Sequence, residues 1–418
     1  MSSGPPSRPA GRTGLVLLAL AMGGFAIGTT EFAAMSLLPY FSAGLGIDEP
    51  TAGHVISAYA LGVVVGAPVI AVLATRMVRR TLLIGLMVVF AVANGLSALA
   101  PSYGWMVAFR FLSGLPHGAY FGVAALVAAS LVPAERRAQA VSRVMLGLTV
   151  ATICGVPLAS WIGQGLGWRW GFALVAALAL ATVALLIAFA PRGSRQTGAN
   201  PRRELSALAR GQVWLTLGIG AIGFGGMFCV YTYLATTLME VTGMAPALVP
   251  LVLAVFGVGM TLGTLFGAWA ADRAQMPAAG GILLWSAAAL ALFPLVAHDP
   301  WLVTLCVFLI GGGGGLGTVL QTRLMDVAGD AQMLAAALNH SAFNVANALG
   351  PWLGGLAIAA GLGWTATGWV GVGLTLTGFA LWLISLVLDR ARDARREAVA
   401  EARVAAAEAA ARPWWLNG

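Results

Sequence analysis

The chain reads as an all-α integral membrane protein, with twelve transmembrane helices arranged as two pseudo-symmetric six-helix bundles. Three observations lead there. Of 418 residues, 59% are hydrophobic and only 9% charged, at a mean hydropathy of +0.88, whereas soluble domains carry charge on about a quarter of their residues. Apolar runs long enough to cross a bilayer recur twelve times between clusters of arginine and turn residues. The first six runs also echo the last six in the placement of their glycines. A water-soluble globule is excluded.

The runs fall at 15–41, 52–75, 82–100, 105–131, 139–163 and 168–190, then at 212–239, 247–271, 278–297, 301–322, 335–361 and 365–388. Each approaches or exceeds the ~20 apolar residues that a helix needs to span hydrocarbon. Between the sixth and seventh lies PRGSRQTGANPRRELSALARG, rich in arginine, glycine and proline, which divides the chain. The expected organisation is a cytoplasmic segment 1–14, a first bundle 15–190, a cytoplasmic linker 191–211, a second bundle 212–388 and a cytoplasmic tail 389–418. From Asp389 to Arg412 the tail is charged and Ala-rich, with Glu408 and Arg412 spaced one helical turn apart, and reads as a soluble cytoplasmic helix; beyond it Trp414 and Trp415 either return to the membrane interface or form a disordered end.

Orientation follows from arginine. All 23 basic residues are arginine, and an N-terminus in the cytoplasm puts nearly all of the loop arginines on that side. Among them are Arg8, Arg12, Arg76, Arg79, Arg80, Arg273 and the linker set; the opposite loops hold only Arg169 beside Asp48, Glu49, Glu240 and Asp299. A basic patch with this distribution is topology, so the net charge of +8 does not point to nucleic acid. The three cysteines, Cys154, Cys229 and Cys306, lie within separate spans and lack metal-ligand spacing. No metal and no cofactor is expected.

The halves are related by an offset of 197 residues. Nine of the 21 glycines between Gly14 and Gly171 meet another glycine at that offset, where chance gives about three. The pairs include Gly28 with Gly225, Gly62 with Gly259, Gly66 with Gly263, Gly114 with Gly311 and Gly118 with Gly315. Ionisable groups break the repeat: Glu31 matches Phe228, Arg110 matches Val307 and His117 matches Gly314. A scaffold requirement would appear in both halves, so the asymmetry favours a dedicated site in the first.

Glu31 is the costliest of these residues. A carboxylate within a span is unfavourable by roughly 2.5 to 3.5 kcal/mol unless it is paired, protonated or facing water. It lies about 12 to 15 Å inside the far end of its helix, and Arg110 about 8 Å inside the same end of its own, so an ion pair between them is allowed. Arg110, Gly114, His117 and Phe121 share one face of the fourth span, and Gly24, Gly28, Glu31 and Met35 share one face of the first. His340, Asn344, Asn347 and Pro351 make a third stripe on the eleventh. Phe32, Tyr59, Tyr231 and Tyr233 are candidate pocket aromatics.

Each has a plainer reading. Glu31 and Arg110 could form a structural salt bridge, the histidines and amides could join helices, and the aromatics could be packing. The functional reading has Glu31 alternating between a protonated and a substrate-engaged state, tuned by Arg110 and His117.

Four segments now carry a resemblance: GTTEF at 28–32, TAGHVISAYALGVVVGAP at 51–68, RFLSGLPHGAYFGVAAL at 110–126 and LGLTVATICGVPLASWIGQGLGW at 146–168. They resemble the major facilitator superfamily, in its twelve-span drug:proton antiporter group and arabinose-efflux-permease-like branch. The family's first loop motif, G-x-L-A-D-R-x-G-R-R, stands here as AVLATRMVRR, which keeps Arg76, Arg79 and Arg80 but has Thr75 and Val78 in place of Asp and Gly. Its second-half copy, GAWAADR, keeps Asp272 and Arg273. Arg110 matches the span-four arginine associated with proton transfer, and Gly147, Gly155 and Pro157 resemble the span-five antiporter motif, with GVP in place of GP.

The resemblance implies the major facilitator fold, rocker-switch alternating access and a bacterial inner-membrane location with both termini cytoplasmic. The expected function is proton-coupled export of drug-like, sugar-like or other small molecules. The alternatives are a facilitator or proton symporter that imports a metabolite, or a receptor without transport. No metal-site, nucleophile-elbow or phosphate-loop motif supports an enzyme. The expected partners are a small-molecule substrate, protons and the bilayer, with no nucleic acid and a functional monomer.

Overall fold

The computed structural model describes residues 10–73, 77–133, 136–191, 206–328 and 332–411. Ten helical segments among them are long and apolar enough to cross a membrane. The longest, Pro246–Val296, is two spans, because its backbone turns extended at Ala274 beside Arg273, with φ −159° and ψ 81°. With the 28-residue helix Gln332–Ala359, the described residues hold twelve spans. Helices are the form a lipid environment leaves open, because hydrocarbon offers no partner for an unpaired backbone group. Thr75, Arg76, Arg8, most of the linker, Trp414 and Trp415 lie outside the described residues.

In the first half the spans are Ala10–Ser36 with Leu38–Leu45, Glu49–Leu73, Arg79–Ala98, Tyr103–Ser130, Arg137–Leu166 and Trp168–Phe189. In the second they are Gly211–Gly223 with Gly225–Glu240, the two limbs of Val249–Val296, Pro300–Gly312 with Gly315–Ala328, Gln332–Ala359 and Ala366–Ala411. Below they are numbered one to twelve in this order. Local sequence explains the interruptions. Span one breaks just ahead of Pro39, and span five opens into a π-helical turn, Ala151–Gly155, just before Pro157, where proline removes a backbone donor.

Short turns are tied by acids on the face opposite the chain ends. Asp48 Oδ1 accepts from Thr51 N at 2.7 Å, which holds its carboxyl below the usual carboxylate range. Asp299 caps span ten, accepting from Trp301 N and Leu302 N at 2.9 and 2.8 Å. Such a cap contributes about 1 kcal/mol. On the terminal side Arg323 pairs with Asp389, joining spans ten and twelve. Span twelve runs on without a break to Ala411, 46 residues in all, so the helix of the tail is a continuation of the last span.

The glycine repeat is a packing repeat. A Cβ on Gly62 would lie 2.2 Å from Phe111 O, and one on Gly259 2.2 Å from Phe308 O. Gly66 meets Leu115 O at 2.2 Å and Gly263 meets Gly312 O at 2.1 Å, while Gly114 meets Tyr59 O at 2.1 Å and Gly311 meets Phe256 O at 2.5 Å. In each pair the partners are themselves 197 residues apart. Spans two and four therefore touch backbone to backbone as spans eight and ten do, which only small residues permit.

Gly114→Leu and Gly311→Leu are accordingly expected to destabilise the folded protein by about 3 kcal/mol or more. Gly122→Leu, at an exposed position with nothing within 4 Å of the added carbon, is expected to be neutral. Thermal unfolding in detergent separates the three, and a neutral Gly114→Leu would contradict the packing account.

The halves meet along spans one and seven, two and eleven, and five and eight. Toward the face opposite the termini they are stitched together. Ser57 Oγ donates to Ala348 O at 2.8 Å, Thr236 Oγ1 donates to the Glu49 carboxylate, and Trp161 Nε1 donates to Ala247 O at 3.1 Å. On the terminal side the arginines bond within one half: Arg79 to Leu126 O, Arg80 to Ile187 O and Arg210 to Val327 O.

Candidate functional site

Span one carries three consecutive polar residues: Thr29 donates to Phe25 O of its own helix at 2.7 Å, while Thr30 and Glu31 point about 100° apart because a helix turns by that angle per residue. Thr30 faces its own half. It donates to Asn94 Oδ1 at 2.7 Å and accepts from Arg110 Nη1 at 2.9 Å. Glu31 faces the other half, where its Oε1 accepts from Asn347 Nδ2 at 3.1 Å. That bond joins span one to span eleven.

In place of the ion pair that depth allowed, the two groups enter separate arrangements. Among the described residues no salt bridge joins Glu31 to Arg110. Arg110 is fully buried, with longer bonds of 3.4 Å to Asn94 Oδ1 and Ser113 Oγ. Its guanidinium lies over the ring of Tyr59 at 4.4 Å and of Phe172 at 5.4 Å. Its charge is held by neutral dipoles and two π faces, an arrangement suited to a planar, weakly hydrated cation. Nε has no partner. Depth along the helices was right for a pair, but the rotation of span one sends the carboxylate elsewhere.

Tyr59 links this centre to the next. Its hydroxyl meets His117 Nδ1 at 2.9 Å, and the His117 ring packs on Phe121 at 5.4 Å. Phe121 in turn stacks on His340 of the other half, at 5.6 Å and 3° between planes. The stripe on span four thus runs from the interior of the first half to a second crossing point between halves. On span eleven, Asn344 Nδ2 donates to His340 O at 2.9 Å, and the Oδ1 atoms of Asn344 and Asn347 are buried without partners among the described residues.

The aromatic candidates separate by position. Phe32 packs against Phe228 at 6.1 Å and edge-on to Tyr231 at 5.4 Å, beside Glu31, with Met35 buried in the same core cluster. Tyr233, in the same core cluster, is not among the rings stacked on Phe32. Its hydroxyl donates to Pro351 O at 2.8 Å, toward the sealed face. Phe228, the repeat counterpart of Glu31, supplies an apolar ring where the first half has its acid.

The motif residues sit around this centre. A Cβ on Gly147 would fall 2.0 Å from Ala21 O, and one on Gly155 2.2 Å from Thr29 Oγ1, so both glycines seat span five on span one. Between them the π turn touches span eight, where a Cβ on Gly257 would lie 2.7 Å from Thr152 O. The bend before Pro157 thus lies at the contact of the two halves. Arg79 and Arg80 bond carbonyls of spans four and six, as described above. Arg273 donates to Trp269 O at 3.0 Å and lies over the Trp269 ring, and Asp272 is exposed.

Sequence reasoning missed Thr30 and Asn94. The signal for Asn94 was present, as a lone amide in the apolar run AVANGLSALA, where burial demands a partner. Thr30 offers none, because threonine is common in apolar spans and bonds its own helix.

Among the described residues no group of three or more His, Cys, Asp or Glu could hold a metal ion. The family model described as Major Facilitator Superfamily matches residues 20–277 and 216–417. The chain is 40% identical over 370 residues to the inner membrane transport protein YdhP of Escherichia coli (strain K12), covering 88% of this chain and 94% of that protein. It is 35% identical to a chloramphenicol resistance protein of Streptomyces lividans, covering 81% and 87%. The fold matches a bacterial homolog of the human lysosomal transporter Spinster in its inward-facing, occupied conformation, with a TM-score of 0.71 at 17% identity, over 92% of this chain and 97% of that one. A multi-pass protein of the inner-membrane transporter type is what these likenesses and the twelve spans share, and the chain belongs to the Major Facilitator Superfamily.

Proposed function

We propose that this transporter is a proton-coupled exporter of small molecules, drug-like or sugar-like, that works by alternating access. The observation that carries the reading is the bond from Asn347 to Glu31. Glu31 is the one buried acid among the described residues, and this bond ties it to the opposite half instead of to a salt bridge. Proton binding at Glu31 and separation of the halves then act on the same atoms. Arg110, enclosed within the first half, sets the local field, and the His117, Phe121 and His340 stack forms the second link across the boundary. The resistance function in the name of the Streptomyces relative supports export.

The same reading puts both termini in the cytoplasm, because the arginine-rich loops share their side. The stitched face is then extracytoplasmic and closed in this conformation. The unit boundaries at 15–190 and 212–388 fit a rocking of one bundle against the other, within a monomer. Purified protein in liposomes with an imposed pH gradient tests the proposal. Export requires that substrate move against an opposing proton flux, with measurable proton release. Co-directional movement would identify a symporter, and flux blind to the gradient a facilitator.

A further inference from the structure

Two amides of span eleven, Asn344 and Asn347, are bonded only on their donor side among the described residues. Asn347 gives its N–H to Glu31 and Asn344 gives one to His340 O, yet both carbonyl oxygens are buried without a partner among the described residues. Asn344 is 3% exposed and Asn347 fully buried. An unpartnered buried acceptor is unfavourable, because it has given up its bonds to water, and two lie one helical turn apart next to a carboxylate. This part of the boundary presents acceptors.

Beside them runs a ribbon of rings. Phe343 packs on Phe224 at 4.6 Å, Phe224 on Phe228 at 5.6 Å, Phe228 on Phe32 at 6.1 Å, Phe32 on Tyr231 at 5.4 Å and Tyr231 on Phe256 at 4.3 Å. Four spans from both halves contribute. When the halves part, these rings offer flat faces to a guest. Charge does not select it: Arg110 is a fixed cation with no ion-pair partner among the described residues, so it opposes Glu31 when that acid is ionised and leaves the region positive when it is protonated. A permanent cation gains little there, and a neutral N–H donor gains in both states.

We propose that the cargo is a flat aromatic heterocycle with at least two N–H donors, its ring on this ribbon and its donors on the Asn344 and Asn347 oxygens and Glu31. The proposal rests on the reading of the boundary as the transport site. It specifies recognition by donors, not by charge or by apolar bulk.

Lumichrome and 1,3-dimethyllumichrome test it, because they share one neutral fluorescent ring system and differ in two N–H groups. N-methylacridinium serves as a flat cation without donors. Titrated onto the full chain in detergent, lumichrome is expected to bind about tenfold or more tighter than either. Asn344→Leu, which leaves the Glu31 bond in place, should shrink the lumichrome preference, and Asn344→Leu with Asn347→Leu should erase it. Should the double variant not fold, the single one decides. Equal affinities, a preference that survives in Asn344→Leu, or an absence of binding by lumichrome would overturn the proposal. The assay is an equilibrium one, so the preference without pH-driven flux would sink proton coupling alone and leave the assigned recognition standing.

Discussion

Glu31→Gln is expected to uncouple the protein without unfolding it. Glutamine keeps an oxygen at the position of Oε1, so Asn347 can still donate at close to 3.1 Å and the boundary between halves stays packed. What disappears is the proton. In liposomes with an internal pH dye, accumulation driven by a pH gradient and the accompanying proton release should both fall to the level of empty vesicles, while exchange of labelled for unlabelled substrate continues. Glu31→Asp sets a second mark: it retains the acid but shortens the reach to Asn347, so coupling should persist at a reduced rate. Proton release of normal size from Glu31→Gln, at normal membrane levels, would remove Glu31 from the mechanism.

Arg110→Met should separate stability from transport in the opposite way to a structural salt bridge. If Arg110 held the fold together, its loss would leave an uncompensated acid and cost about 3 to 5 kcal/mol. The geometry argues otherwise. After the substitution Asn94 Oδ1 still receives the Thr30 hydroxyl at 2.7 Å, Ser113 still bonds its own helix through Arg110 O at 2.8 Å, and a buried cation with an unpartnered Nε is gone. Methionine fills much of the space between the Tyr59 and Phe172 rings. The melting temperature is therefore expected to hold or rise while pH-driven transport is lost, since the field at the boundary changes by a full charge. A large fall in melting temperature would restore the structural reading of this residue.

Much of the architecture was written in one-dimensional features. Spans follow from length and hydropathy, and the duplication follows from glycines such as Gly62 and Gly259, because backbone contact tolerates no side chain and so marks the same place in each half. The separation of spans eight and nine was equally visible, in Arg273 and its neighbours, even though the helix is nearly continuous across Ala274. What could not be read was rotation about the helix axis. Glu31 and Arg110 were matched by depth alone, yet a shift of one residue, about 100°, gives the arginine to Thr30 and the acid to Asn347. The partner of Glu31 lies 316 positions away on a helix whose facing residues no periodicity within span one could specify. The break at Leu37 and the π turn at Ala151–Gly155 mark the same limit, since proline signals an interruption but not the form it takes.

The placement of the acid has a consequence for how the two bundles could have diverged. A titrating group enclosed within one bundle would register the proton privately, and the other bundle would have no means of responding. Glu31 instead shares its hydrogen bond with Asn347, so under the proposed coupling neither half carries a complete sensor: the first half has the acid, the second has the amide, and Phe228 stands at the position that matches Glu31. Selection on such a pair acts on both copies at once. A substitution that retunes one side has its remedy on the far side of the linker, hundreds of residues downstream, and second-site suppressors of Glu31→Asp should be sought on span eleven.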